Sequence, residues 1–316
     1  METKRPETLI EAIRFFTDAD NCHNFATLLH WPDGVVRCPT CGRDDVRFVS
    51  TRRIWECKSV HSKKQFSAKI GTIFEDSPIG LDKWFSAVWM IANDKNGISS
   101  YEIARGLGVT QKTAWFMLHR IRLAMQSNDY TKLDGTIEVD ETFIGGKARF
   151  MHRNRQHAAI NSVGPIGKTA IVGLLDRHGP DGHSIVKASV VKDRKLKTLN
   201  GLVRKHVTPG SEVFTDALQS YNGLESEYIR GVVDHAETYV EGRVHTNGVE
   251  NFWTLLKRAM KGTYVAVEPF HLFRYLDEEV FRFNNRQTTD GERFLRLAAN
   301  VVGKRLTLKE LIGHDT

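Results

Sequence analysis

Cysteine is scarce in this 316-residue chain, and long apolar runs are missing from it. Four cysteines in this length do not form the disulfide framework of a small secreted domain. No apolar core follows the basic start of the chain, so we expect no signal peptide and a reducing cytoplasm as the location. The longest nearly apolar stretch, residues 84–92, is far shorter than the roughly 20 residues of a membrane-spanning helix, which argues against membrane insertion.

Internal repeats, low-complexity segments and two common enzyme motifs are also absent. Without a Gly-x-Ser-x-Gly motif, serine hydrolase chemistry has no nucleophile elbow. Residues 162–169 resemble a phosphate-binding loop, but its first glycine is missing and a strand pattern follows, so we reject nucleotide binding there. What is present is a globular composition, 41% hydrophobic, with a formal net charge of +7. Such an excess of cations favours a polyanionic partner, and nucleic acid before a membrane.

Composition and periodicity divide the chain into four segments. They predict an N-terminal helix and zinc ribbon over residues 1–75, a helix-turn-helix-like DNA-binding region over 76–130, a catalytic body over 131–286 and a helical tail over 287–316. Apolar, β-branched runs predict five strands in the body, at 136–144, 169–175, 184–191, 212–215 and 228–233. Helical patterns follow at 196–207, 248–260 and 269–284. Together these elements predict a mixed α/β layer.

Two close pairs of potential zinc ligands are separated by 15 residues. The predicted ligands of a structural Zn²⁺ are Cys38, Cys41, Cys57 and His61, because thiolates and imidazole suit a tetrahedral zinc site. Gly42 permits the positive φ that the Cys-Pro-x-Cys-Gly turn needs. A strict ribbon has a cysteine three positions after Cys57, so His61, four positions after it, departs from the strict pattern. Cys22, with His23 beside it, remains open as a spare ligand or a small buried side chain.

Residues 99–122 have the pattern of two capped helices joined by a glycine-containing turn. Ser99 and Glu102 form a capping box, and Thr110 can cap the second helix. The polar residues left to face DNA are then Gln111, Lys112, His119, Arg120 and Arg122. The alternative is an ordinary helical hairpin with a solvated basic face.

Three carboxylates stand at positions where catalytic acids gather. Asp140 interrupts an apolar strand, so its charge needs a partner or a metal. Glu138 shares its face, whereas Glu141 points the other way. Asp216 closes a short strand, and Glu250 lies on the polar side of a helix.

Carboxylates from separate elements can hold two divalent ions, which activate the attacking oxygen and stabilise the leaving one in a displacement at phosphorus. Magnesium prefers such oxygen ligands. Lys257, two turns after Glu250, would act as a point charge near the scissile phosphate, and Lys261 lies on the same side. Structural acids are the alternative, since such residues are common.

Six motifs in order resemble the ISXO2-like insertion-sequence transposases over residues 25–286. They are Cys-Pro-x-Cys-Gly at 38–42, Lys-Gln-Phe-Ser at 64–67, Gly-Thr-Ile-Phe-Glu at 71–75, Val-Asp-Glu-Thr-Phe-Ile-Gly-Gly-Lys at 139–147, Thr-Asp-x-x-x-Ser-Tyr at 215–221 and His-Thr-Asn-Gly-Val-Glu-Asn-Phe-Trp-x-x-x-Lys-Arg at 245–258.

This resemblance implies an RNase H-like DDE domain with Asp140, Asp216 and Glu250 as catalytic acids and Lys257 as the basic residue that follows. Asn247 is the alternative to Glu250 at the third position. The implied cofactors are catalytic Mg²⁺ or Mn²⁺ and structural Zn²⁺. The implied partners are double-stranded DNA, as transposon ends and target, and a second copy of the chain in a homodimer or larger assembly. The implied location is the bacterial cytoplasm, with the nucleoid.

A basic segment after the first acid can clamp a DNA strand. We assign DNA contacts there to Lys147, Arg149, Arg153 and Arg155, and a further contact to Lys261; a solvated loop is the alternative. Two other functions remain open: a zinc-containing helix-turn-helix regulator with a non-catalytic body, and an RNase H-like nuclease without strand transfer. Three clustered acids argue against the regulator, because like charges repel unless a metal neutralises them.

Overall fold

The structure is a computed structural model that describes residues 6–126, 131–145, 168–233 and 244–313. These residues form two compact units, one of residues 6–126 and 287–313, the other of residues 131–145, 168–233 and 244–286. The four-segment division stays a prediction. None of the helices in the described ranges combines the length and the hydrophobicity that a membrane span requires.

Four of the first five helices begin at an N-cap residue whose side chain accepts from a backbone amide of the first turn. The helices are Leu9–Thr17 (α1), Ala19–His30 (α2), Leu81–Asn93 (α3), Ser100–Leu107 (α4) and Gln111–Met125 (α5). The capping box of Ser99 and Glu102 is confirmed, and Thr110 accepts from a backbone amide in the first turn of α5. Gly108, at φ +60°, ends α4 in the left-handed conformation that glycine adopts easily. The predicted pair of capped helices is therefore present.

A small antiparallel sheet lies between α2 and α3 in the chain. Its strands are Val46–Val49 (β1), Ile54–Cys57 (β2) and Gln65–Phe66 (β3), in the order β1-β2-β3. Trp55 from β2 packs against Phe66 and Trp31, with ring centroids 6.0 Å and 5.3 Å away. Because three short strands bury little apolar area, this sheet depends on aromatic packing and on cross-linking by the predicted zinc ligands.

The second unit is a five-stranded mixed sheet, as the sequence predicts. Its strands are Thr136–Ile144 (β4), Thr169–Asp176 (β5), Ile185–Val191 (β6), Glu212–Asp216 (β7) and Ile229–Val233 (β8), in the order β6-β5-β4-β7-β8. β4 is central, antiparallel to β5 and parallel to β7. Every predicted strand is confirmed, with ends shifted by at most one residue.

Helices cover both faces of this sheet. The helices are Leu196–His206 (α6), Asn247–Ala259 (α7) and Leu272–Asn284 (α8). Leu199 and Val203 of α6 share a core with Ile137 and Val139 of β4. On the opposite face, α7 and α8 share a second core with β5 and β6. A parallel strand pair between two helical layers covers both faces of β4, so Glu138 is buried and Asp140 and Glu141 are partly buried.

The C-terminal residues return to the first unit as the helices Asp290–Ala299 (α9) and Leu308–Ile312 (α10). Phe294 of α9 joins the rings of Phe16 and Phe85, and Phe16 lies 5.5 Å from Phe294 and 4.8 Å from Phe85 between centroids. The C-terminal segment is thus part of the aromatic core of this unit.

Candidate active site and metal centre

Asp140 and Asp216 meet because β4 and β7 run in parallel. Glu138 stands opposite Phe214, so two residues further along each strand Asp140 and Asp216 lie level with each other. Carboxylate oxygens of Asp140, Asp216 and Glu141 all lie within 4.8 Å of one another. Two of the three predicted acids therefore come together, and Glu141 joins them.

One oxygen of Asp140 is fixed by a tryptophan of α7. The Trp253 indole N–H donates to Asp140 Oδ2 over 2.9 Å. Gly173 of β5, paired with Asp140, makes room for this ring: a Cβ at that position would lie 2.7 Å from it. Burial raises the pKa of Asp140, and the charges of Asp216 and Glu250 raise it further.

Glu141 is a candidate ligand that the sequence analysis did not select. Its side chain is on the opposite face of β4 from Asp140, as alternation predicts, but β7 has already ended at Asp216, so carboxylates from both faces converge at this edge. The Tyr221 hydroxyl donates to Glu141 Oε1 over 2.6 Å. Burial raises the pKa of Glu141 to about 7, against the lowering effect of that hydrogen bond. The adjacent position in the Asp-Glu pair was the only sequence signal available.

Glu250 lies near this group but outside it. Its Oε1 accepts from the Thr246 hydroxyl over 3.0 Å, and its charge contributes to the raised pKa of Asp140. Asn247, the alternative at the third position, is exposed at the start of α7. Lys257 is half-buried two turns further along α7, and Lys261 is exposed in the π-helical turn that follows.

A buried ion pair joins α7 to the central strand. Arg177 Nε donates to Glu138 Oε1 over 2.7 Å, and Glu138 Oε2 accepts from the Val249 amide over 2.9 Å. Arg177 also donates to the carbonyl of His245, just before α7. The negative charge of Glu138 lies at the N-terminus of α7, where the helix dipole favours an anion. Glu138 thereby sets the position of the helix that carries Glu250.

The three converging carboxylates fit a divalent cation. Oxygens on opposite sides of one Mg²⁺ at about 2.1 Å lie about 4.2 Å apart, and one oxygen from each of the three carboxylates lies within 4.8 Å of the other two. Without a cation, burial and then the repulsion between neighbouring carboxylates raise the pKa values of Asp140 and Glu141. The donor set, all oxygen, suits magnesium or manganese.

A second ligand group lies in the first unit, where Cys38, Cys41, Cys57 and His61 converge within 4.8 Å. Cys38 Sγ lies 3.5 Å from His61 Nε2, and Cys41 Sγ lies 3.6 Å from Cys57 Sγ. Tetrahedral zinc with Zn–S of about 2.3 Å and Zn–N of about 2.0 Å separates two sulfurs by about 3.8 Å, and sulfur from nitrogen by about 3.5 Å. Gly42 has φ +73°, as predicted. The geometry fits zinc, with His61 as the fourth ligand, and Cys22 lies outside the group.

Most of the predicted DNA-facing side chains of α5 do not face solvent. Lys112 is exposed, and Gln111 donates to the Ser100 hydroxyl over 2.8 Å. Arg120 is only 5% exposed, and its guanidinium donates to the backbone carbonyls of Ile73, Glu75 and Leu306. The prediction that Arg120 contacts DNA is therefore wrong for this structure, and the same holds for His119 and Arg122, which are buried. For Arg120 the physical reason is that the returning C-terminal segment, at Leu306, and residues 73–75 surround its guanidinium with carbonyl oxygens.

Four further predicted DNA contacts cannot be placed. Lys147, Arg149, Arg153 and Arg155 lie outside the described residues. The basic segment therefore stays a prediction from the sequence.

Comparisons with known proteins cover both ligand groups. Residues 132–284 match the family model of the ISXO2-like transposase domain, and residues 17–61 match that of the transposase zinc-ribbon domain. The chain is 26% identical over 258 residues to an uncharacterized protein in transposable element ISH50 of Halobacterium salinarum, covering 78% of this chain and 84% of that protein. It is 33% identical over 99 residues to an uncharacterized transposase-like protein of Haemophilus influenzae, covering 31% of this chain and 80% of that protein.

Proposed function

Because this chain belongs to the ISXO2-like transposase family, with an N-terminal zinc ribbon and an RNase H-like DDE domain, we propose that it cuts and joins DNA strands at the ends of an insertion sequence. The observation that carries this proposal is that Asp140 and Asp216 meet where β7 ends beside β4. Glu250 lies close enough to affect Asp140 electrostatically. Its DNA substrate would place it with the nucleoid in the cytoplasm.

In this proposal the acids Asp140, Asp216 and Glu250 hold two divalent cations, Mg²⁺ or Mn²⁺, and Glu141 supplies a further oxygen. When bound, such a pair activates the attacking oxygen and stabilises the leaving one. Trp253 holds one oxygen of Asp140 and Tyr221 holds one oxygen of Glu141, so the remaining oxygens have fixed positions. This preorganisation lowers the cost of assembling the site during the reaction.

The chemistry proceeds by two displacements at phosphorus. Water attacks the phosphorus at the end of the element, the P–O3′ bond breaks, and the departing 3′-oxygen takes up a proton. The free 3′-hydroxyl then attacks a phosphorus of the target strand, forming a new ester as a target P–O3′ bond breaks. One phosphodiester replaces another in the second step, so no energy source is required.

Lys257 is assigned to the strand flanking the scissile phosphate, and Asn247, exposed at the start of α7, is the alternative third metal ligand.

The first unit is assigned to recognition of the transposon ends. Lys112 is exposed at the start of α5, and the zinc ribbon presents exposed cations such as Arg52. Cleavage and joining of two ends require that both be held together, so we propose a homodimer or a larger assembly on DNA.

A strand-transfer assay tests the proposed function. We expect the purified chain, with labelled duplexes carrying the terminal sequences that flank its reading frame, to join them to plasmid DNA when Mg²⁺ or Mn²⁺ is present, and to form no product in EDTA. Cleavage without joining would instead indicate a nuclease. Binding without any strand chemistry would indicate the regulator, and would overturn the proposal.

We further propose that the zinc site holds the small sheet together, and we expect Cys57→Ser and His61→Ala to lower the zinc content of the purified chain. Each variant leaves three of the four ligands and so weakens zinc binding. A small domain with a structural zinc site unfolds when it loses the metal. Metal analysis measures the zinc content, and proteolysis within residues 31–66 reports whether the sheet remains folded.

The matched control is Cys22→Ser. Cys22 is buried, its thiol donates to the carbonyl of Phe16 over 3.0 Å, and it lies outside the ligand group. Serine keeps that hydrogen bond, so zinc content should equal that of the wild type. Normal zinc content in both ligand variants would contradict the assignment.

A further inference from the structure

A basic pocket opens where three strands of the second unit end at the same edge. It has a volume of about 630 Å³ and is lined by Phe143 at the end of β4, Thr169 at the start of β5 and Val191 at the end of β6. Lys168, Lys192 and Arg194 also line the pocket, and all three are exposed. The sequence analysis did not single out the stretch from Lys192 onward. The pocket therefore concentrates positive charge at the strand end that follows Asp140.

The one acid among the described lining residues is already engaged. Asp193 Oδ1 accepts from the backbone amide of Lys195 over 3.1 Å and from the Thr198 hydroxyl over 2.6 Å. These bonds direct its carboxylate toward the start of α6. Lys168, Lys192 and Arg194 outnumber this one acid, so the described lining carries a net positive charge that attracts an external anion.

Arg194 is held in place by an aromatic ring. Its guanidinium carbon lies 4.8 Å from the centroid of the Phe143 ring, a cation–π contact that restricts the side chain while leaving its N–H groups open to a ligand. A guanidinium presented in this way suits a phosphate, which it can bind through two parallel hydrogen bonds.

The start of α6 carries charge of the unfavourable sign. Lys195 is the N-cap residue and makes no side-chain capping bond, Lys197 follows in the first turn, and no acidic residue lies in that turn. Cations at a helix N-terminus oppose the helix dipole, at a cost of about 0.3–1 kcal/mol each. The Asp193 carboxylate, which accepts from the Lys195 amide and the Thr198 hydroxyl, partly offsets this conflict, and the exposed side chains of Lys195 and Lys197 add to the positive charge near the pocket.

We infer that this pocket, which has Phe143 and Arg194 among its lining residues, holds the backbone of the DNA strand that enters the carboxylate group. Lys168, Lys192 and Arg194 bind the phosphates of that strand. This inference rests on the proposed function. Phe143 lies three residues beyond Asp140, about 10 Å along a strand at roughly 3.3 Å per residue. That length corresponds to about three nucleotide rises of 3.4 Å. The pocket thus takes phosphates about three nucleotides from the reacting one, independently of sequence.

Cross-linking tests the position. Lys192→Cys is introduced into the full chain, and the DNA carries a thiol tether on successive phosphates near the reacting end. We expect disulfide formation to peak about three nucleotides from that end. Lys205→Cys, exposed near the other end of α6, is the matched control and should give no peak. Equal cross-linking by both variants, at every phosphate, would overturn the inference.

Salt dependence tests the charge. In the Asp140→Asn chain, which is expected to bind DNA without cutting it, we compare Lys192→Ala/Arg194→Ala with Arg204→Ala/Lys205→Ala at the opposite end of α6. Each lost phosphate contact makes the negative slope of log K against log salt shallower by about 0.9. The Lys192→Ala/Arg194→Ala variant should therefore reduce the magnitude of the slope by about 1.8, and the Arg204→Ala/Lys205→Ala control should leave it unchanged. Equal slopes, alongside strand transfer by the wild-type chain, would reject the pocket and leave the proposed function standing. Absence of wild-type strand transfer would reject the function instead.

Discussion

Replacing Asp140 by asparagine is expected to abolish strand transfer while leaving the fold intact. Asparagine keeps the shape of the side chain and an oxygen that can accept from the Trp253 indole, 2.9 Å away in the native site. It lacks the charge that a divalent cation needs. A catalytic metal contributes several kcal/mol at the transition state, and a loss of about 4 kcal/mol lowers the rate about 10³-fold. Single-turnover strand transfer at saturating DNA measures the effect.

The stability of the same variant separates lost chemistry from lost structure. Burial and the charges of Asp216 and Glu250 raise the pKa of Asp140, so its ionised form is disfavoured in the folded, metal-free protein. A raised carboxyl pKa means that this site lowers stability as the pH rises above the ordinary carboxyl range. The melting temperature of Asp140→Asn in EDTA at neutral pH should therefore equal or exceed that of the wild type.

Asp181→Asn is the control, because Asp181 is an exposed acid in the turn between β5 and β6. It should transfer strands at the wild-type rate. Full activity in Asp140→Asn would remove Asp140 from the catalytic assignment, even if the Asp216→Asn variant were inactive.

Breaking the buried pair of Glu138 and Arg177 is expected to have the largest effect on stability. Glu138 is 1% exposed and Arg177 is 15% exposed, so Arg177→Met leaves a carboxylate without its cation in a dry environment. The expected loss is about 3–5 kcal/mol, the range for removing one partner of a buried pair. Hydrogen exchange of the β4 and α7 amides measures it locally, without assuming that both units unfold together.

A pair of the same length at the surface provides the control. Arg204 and Glu227 also lie 2.7 Å apart, but they are 44% and 39% exposed. Arg204→Met should cost less than about 1 kcal/mol, because water screens exposed ion pairs. If both Arg→Met variants changed exchange equally, burial would not be the source of the effect.

The double variant Glu138→Leu/Arg177→Met shows whether the pair acts as a unit. It removes the uncompensated charge, so it should be less destabilised than the sum of the two single variants. Its strand transfer should remain impaired even if stability recovers, because Glu138 no longer accepts from the Val249 amide at the start of the helix that carries Glu250.

Local sequence patterns were sufficient to predict the secondary-structure elements and the ligand sets that depend on residue spacing. Alternating and helical periodicities are local properties, which is why the bounds of β4 were predicted without error and those of α6 to within one residue. The four candidate zinc ligands could also be predicted from the sequence, because two short ligand pairs must converge on one ion in any fold that binds it. The order of motifs identified the family, and the family-model matches confirm it.

Which charged side chains can reach DNA or a metal ion could be seen only in the folded chain. Arg120 is indistinguishable from an exposed arginine in the sequence, yet the returning C-terminal segment buries it against the Leu306 carbonyl. Alternation correctly assigns Glu141 to the opposite face of β4 from Asp140, but it does not record that β7 ends at Asp216, which lets carboxylates from both faces converge. Lys192 and Arg194 are close in the sequence, but only the fold places them with Lys168 around the pocket beside Phe143. The physical reason is common to all three: burial and convergence depend on contacts between residues far apart in the chain, which local patterns do not record.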